Sequence, residues 1–208
     1  MELKEYGVKT APKIILLAGF PDNHSVWDNV VDYFQDTYHI FVGCLPDFDR
    51  QYLSKPDGYS IDEVISLFEI GIEKISKQNE RVNLILHDWG SLIGINYYSK
   101  RPEKVLKLVT LDVGANSNDS NPDSPKLLGL AVSLWYQLNF AFIFWLGKRI
   151  SSTLAQLYFR CFMFGWRIWG PCNFGATFPR PKAELKWWMC YPYYLIIYCA
   201  EQSCYETS

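Results

Sequence analysis

Asp88 stands where a carboxylate can do chemistry. It follows the apolar stretch Leu84-Ile85-Leu86-His87 and precedes Trp89-Gly90-Ser91, so a short strand runs through one acid directly into a helix-like segment. A tight strand-to-helix turn of this kind lifts its central side chain to the carboxyl edge of a sheet. An ionised carboxylate held there can attack an sp3 carbon bearing a halide or an epoxide oxygen, giving an ester that water later cleaves. The N–H groups that open the following helix favour the negative charge, and the indole N–H of Trp89 can donate to a leaving group. The competing reading is that Asp88 only caps the helix, a role aspartate fills well.

The run His87-Asp88-Trp89-Gly90-Ser91 resembles the nucleophile motif of the α/β-hydrolase superfamily, in particular its aspartate-nucleophile branch of epoxide hydrolases and haloalkane dehalogenases. Leu86, two before Asp88, departs from the small residue usual there and predicts a tightened or distorted turn. A second stretch, Ala18-Gly19-Phe20-Pro21-Asp22, is similar to the family's oxyanion loop, with Ala18 in place of the usual histidine. The resemblance implies that the backbone N–H groups of Phe20 and Trp89 form the oxyanion hole, and phenylalanine at position 20 is closer to epoxide hydrolases than to dehalogenases. About seventy residues separate Gly19 from Asp88, the interval the family leads one to expect. Asp112, at the end of the strand after the turn, is the candidate triad acid; alternatively it only caps a loop.

The elements that must position these residues alternate. Apolar runs at 13–18 and 38–43 predict buried parallel strands, and 82–86 and 105–113 read as two further strands. Between them, 25–34 places Val26, Val30, Val31 and Phe34 at helical spacing with Trp27 on the flank, and 60–77 carries the stripe Val64, Leu67, Phe68, Gly71, Ile72 and Ile75 behind Ser60 and Glu63. A helix follows at 91–100. Strands alternating with helices imply an α/β fold with a mostly parallel sheet; with the resemblance, this becomes an α/β-hydrolase core whose last strands are missing from the chain. Ligands bind at the carboxyl ends of such strands, where Gly19–Asp22, Leu45–Asp47, Asp88 and Asp112 all fall.

The expected organisation is a core at 1–115, a polar linker at 116–125, an aromatic-rich helical cap at 126–200 and a polar tail at 201–208. The cap region holds six of the eight tryptophans. In the family a helical lobe inserted here closes over the nucleophile, and the stretch Trp135–Phe140 resembles a cap helix whose tyrosine hydroxyl polarises the epoxide oxygen. Tyr136 is the candidate and Tyr158 the reserve. Residues 127–147 carry no charge and are followed by Lys148 and Arg149, long enough to cross a bilayer but interrupted by Ser133, Gln137 and Asn139; peripheral membrane association is the milder form of that reading.

The net charge of −2 leaves no basic footprint for nucleic acid. Six cysteines lack C-x-x-C or zinc-like spacing and read as reduced, mostly buried thiols, with no metal or cofactor expected. No secretory signal opens the chain, so the compartment is expected to be cytoplasmic. A hydrolase triad ends in a late histidine, yet the histidines here are His24, His39 and His87, all before Asp88. The expectation is therefore a truncated hydrolase acting on a small hydrophobic substrate, epoxide-hydrolase-like, with impaired turnover. Alternatives are a haloalkane dehalogenase or esterase-like relative, and a catalytically inactive scaffold or membrane-associated binding protein.

Overall fold

The computed structural model describes residues 1–77, 80–111, 126–169 and 185–197; in the third segment, side chains are described for 129–165. Asp112, the linker at 116–125 and the tail at 201–208 lie outside the described residues.

Four apolar runs become the parallel part of one sheet: β2 (Lys13–Leu17), β3 (His39–Gly43), β4 (Val82–His87) and β5 (Val105–Leu111). Ile15 pairs with Phe41 on one side and Leu84 on the other, and Leu84 pairs in turn with Leu108. Ile15, Leu16 and Leu17 are fully buried, as expected of a strand covered on both faces. A further strand, β1 (Lys4–Gly7), joins antiparallel to β3 with Gly7 opposite His39, and the spatial order is β1-β3-β2-β4-β5. Edge strand β5 leaves Leu106, Val109 and Leu111 exposed.

Helices follow the strands: α1 (Asp28–Phe34), α2 (Ile61–Ile75) and α3 (Trp89–Lys100), then α4 (Lys126–Arg149) and α5 (Ser152–Trp169). The segment ahead of α1 begins as a 3-10 turn, His24–Trp27, because Asn23 Oδ1 accepts from the Ser25 N–H at 3.0 Å and from the Ser25 hydroxyl at 2.7 Å. That turn swings Trp27 inward, so it is a buried core residue instead of a flanking one. In α2 the buried stripe is Val64, Ile65, Phe68, Gly71 and Ile72; Ile65 takes the place expected for Leu67, which is half-buried.

The described chain divides into two compact units, 1–52 with 61–111, and 53–60 with 126–169 and 185–197. The second unit thus recruits a strap from between β3 and α2. Lys148 pairs with Asp57, holding that carboxyl below its usual range by hydrogen bond and charge, and Tyr59 packs on Tyr191. Within this unit α4 buries Phe140, Ala141, Ile143 and Phe144, while α5 buries Ala155 and Phe159. Gln156 ties α5 to the following segment, donating to the Leu185 carbonyl at 3.0 Å and accepting from the Trp187 N–H at 3.1 Å. Among the described cysteines, Cys44 and Cys190 are buried thiols and Cys161 is exposed. Burial pushes the Cys190 thiol up.

Candidate active site

β4 ends at His87 and α3 begins at Trp89, leaving a single residue for the reversal. Asp88 makes it with φ 53° and ψ −126°, a positive-φ conformation that aspartate and asparagine adopt more readily than most residues. Its N–H donates to the Leu111 carbonyl at 3.1 Å and its carbonyl accepts from the Ser91 N–H at 2.9 Å. The buried Ser91 hydroxyl adds a bond to the same Leu111 carbonyl at 3.3 Å. Two of these three bonds bolt the turn to the end of β5, and the third closes it on its own helix.

Leu86 is accommodated beside this turn by a glycine on the helix that follows. A Cβ built on Gly94 would stand 2.1 Å from Leu86 Cδ1, so the space a small residue would leave on the strand is supplied by the glycine one turn into α3. The fully buried leucine fits because its helical neighbour has no side chain.

The Asp88 carboxylate makes no capping bond to α3. Instead Oδ1 accepts the Phe20 N–H at 2.6 Å, a length typical of strong charge-assisted bonds. This separates the two readings of the residue: the side chain faces the loop after β2, not the helix backbone. Gly19 permits the approach, since a Cβ there would lie 2.4 Å from both Asp88 Oδ1 and the Trp89 nitrogen and 2.8 Å from the His87 carbonyl. Phe20 is buried edge-on against Phe48, with ring centroids 6.4 Å apart, and the Asp22 N–H closes the loop on the Gly19 carbonyl at 2.8 Å. Asp22 and Asn23 are themselves buried.

Of the residues anticipated for the site, Asp88 and Phe20 are joined directly, and the Trp89 nitrogen lies beside Gly19. Tyr136 stands on α4 in the second unit, its ring 6.0 Å from Phe140 and 6.2 Å from Tyr193. Tyr158, on α5, donates its hydroxyl to Asn139 Oδ1 at 2.7 Å. His24 contacts the Lys4 ammonium, and His39 bonds Glu5 at 2.8 Å, which draws that carboxyl below its usual range. The His87 ring meets Trp27 edge-on at 6.5 Å. Hydrophobic spacing does not place Trp27 in this neighbourhood; a bulky aromatic four residues beyond a buried Asn23 turn is the available signal. Among the described residues no cluster of three or more His, Cys, Asp or Glu side chains could hold a metal ion.

The fold that carries this arrangement, a mostly parallel sheet covered by helices, is found again among known proteins. The alpha/beta hydrolase fold family matches residues 12–161, and the chain belongs to that family. Among curated relatives, cis-3-alkyl-4-alkyloxetan-2-one decarboxylase of Shewanella oneidensis is 30% identical over 128 residues, 59% of this chain and 37% of that protein. Epoxide hydrolase 3 of Siraitia grosvenorii is 30% identical over 115 residues, covering 51% of this chain and 34% of its own length. The chain thus spans little more than a third of these relatives. Of solved structures, potato epoxide hydrolase I superposes with a TM-score of 0.52 at 27% identity, over 66% of this chain and 44% of that one. An epoxide hydrolase from Vigna radiata shares the fold over 97% of this chain and 70% of its own, with a TM-score of 0.64 at 19% identity.

Proposed function

We propose that the chain is an aspartate-nucleophile hydrolase that opens a strained oxygen ring on a small hydrophobic substrate. The observation that carries the reading is the Asp88 carboxylate: raised on a strained turn, it spends one oxygen on the Phe20 N–H and none on capping its helix. In this reading we give the attack to Oδ2. In the first step Oδ2 bonds to a ring carbon, the carbon–oxygen bond of the ring breaks, and the alkoxide takes a proton from an acid, a role we give to Tyr136. The names of two relatives support the ring chemistry, since an oxetanone and an epoxide are both small strained oxygen heterocycles. They favour it over the dehalogenase and esterase-like alternatives. The second unit is read as a helical, aromatic-rich cap domain of the family's kind, and the polypeptide as a cytoplasmic one.

The second step needs a base to activate water against the aspartyl ester, assistance that contributes about a hundredfold to ten-thousandfold. No histidine follows Asp88 in the 208 residues, so the ester is expected to accumulate on this chain. Incubation with styrene oxide followed by intact-mass measurement and peptide mapping tests the reading. One adduct per chain on Asp88, absent from Asp88→Asn, supports it. Absence of any adduct on folded protein refutes it and favours the second reading, a scaffold that has kept the fold without turnover; the same absence of a late histidine is what favours that reading.

A further inference from the structure

Helix α4 has two unlike faces. One is packed inside its unit, with Ile143 and Phe144 completely buried. The other is open: Leu130, Leu134, Trp135 and Leu138 are each more than half exposed, Phe142 nearly so, and every exposed residue between Gly129 and Phe142 is apolar. Leu157 of α5 is more exposed still, at 59%. A soluble protein rarely leaves so many large apolar side chains together without something to cover them.

Charge says what covers them. Residues 126–169 hold five cations, Lys126, Lys148, Arg149, Arg160 and Arg167, and no Asp or Glu, whereas the rest of the chain holds fifteen Lys and Arg against twenty-two Asp and Glu. Lys148 is occupied by Asp57, but Arg149 and Arg160 are exposed, and Arg160 lies three residues from Leu157, on the same side of α5. An apolar stripe edged by cations with no intervening acid is the pattern of a helix that lies in a membrane interface. A second copy of the chain would bring like charges together across the contact. A span across the bilayer is also disfavoured: α4 is long and apolar enough, but one side of it packs on α5 and on Trp187, Tyr191 and Tyr193.

We propose that the α4–α5 face docks on an anionic lipid surface, with Leu130, Leu134, Trp135, Leu138 and Phe142 in the acyl boundary and Arg149 and Arg160 among the headgroups. Monomeric full-length chain, collected by size exclusion, is mixed with vesicles of phosphatidylcholine alone or of equal parts phosphatidylcholine and phosphatidylglycerol, and sedimented. Two exposed cations predict roughly thirtyfold tighter binding to the anionic vesicles, weakened by salt. The double variant Leu134→Glu/Leu138→Glu should lose sedimentation with both while keeping its circular dichroism and melting temperature. Arg149→Gln/Arg160→Gln, which leaves the apolar stripe intact, should lose only the anionic preference. Asp88→Asn should bind as the parent does, so this proposal and the catalytic one fail separately. Equal binding to both vesicle types, no binding to either, unchanged binding by the glutamate variant, resistance to alkaline carbonate extraction, or a stable dimer that the glutamate variant dissolves would each overturn the proposal.

Discussion

Gly19→Ala tests the geometry on which the catalytic reading depends. The added methyl would sit 2.4 Å from both Asp88 Oδ1 and the Trp89 nitrogen and 2.8 Å from the His87 carbonyl, and two of these three neighbours are backbone atoms that cannot turn aside. The loop after β2 must therefore withdraw, and the 2.6 Å hydrogen bond from the Phe20 N–H to Asp88 breaks as it does so. Overpacking of this kind costs about 1–3 kcal/mol, and a hydrogen bond to a charged group contributes about 1.5–3 kcal/mol; because both express one displacement, they are not summed. A loss of about 3 kcal/mol corresponds to roughly 6–12 °C in melting temperature for a chain of this size. Ester formation should suffer separately, because a carboxylate displaced by about 1 Å from its attacking position can lose on the order of a hundredfold in rate. The assay is thermal denaturation alongside the rate of styrene oxide adduct formation below the melting range. If Gly19→Ala melts with the parent and forms the adduct at the parental rate, the Phe20–Asp88 bond is not what positions the carboxylate.

Acid should destabilise the chain through its paired carboxylates. Glu80 is held below its ordinary value of 4.5 by the Lys13 ammonium at 2.5 Å and by the Lys77 N–H, so its contribution is complete above that value and disappears as pH falls through the folded one. Lys13→Met should cost about 0.5–1 kcal/mol at neutral pH and flatten the acid limb of a melting-temperature profile; an unaltered limb would show that the pair plays no part in acid stability. Trp27→Ala, which empties a buried site against the His87 ring, should cost about 3–5 kcal/mol by urea denaturation, and a loss below about 1 kcal/mol would show that the residue does not brace the end of β4.

The strands that carry the site are legible because each is rich in Val, Ile and Leu and bounded by turn residues, and the acid, glycine and phenylalanine that meet are legible through the resemblance of their two motifs to the family's. β1 is not, since Lys-Glu-Tyr-Gly lies at a sheet edge with one side in water and shows neither alternation nor apolarity. The inward turn of Trp27 depends on which atoms Asn23 binds, and hydrophobic spacing is silent on that. Tyr136 and Tyr158 illustrate a different limit. One-dimensional spacing cannot distinguish fourteen tyrosines, whereas a single hydrogen bond to Asn139 shows the Tyr158 hydroxyl already engaged on its own unit. The strap at 53–60 is invisible in one dimension because nothing in its own composition refers to Lys148 or Tyr191.

The exchange of bulk between Leu86 and Gly94 constrains the order in which this turn can change. Alanine introduced first at position 94 would place its methyl 2.1 Å from a leucine carbon that is itself fully enclosed, so that route begins with a collision. Alanine introduced first at position 86 leaves a void, a loss of about 2–5 kcal/mol that a later Gly94→Ala would partly refill while adding about 1 kcal/mol of helix propensity. Only one of the two paths back to a small residue before the acid is passable by single steps, and it crosses a valley. A lineage that acquired the large leucine would tend to keep it, so position 86 and position 94 should vary as a pair.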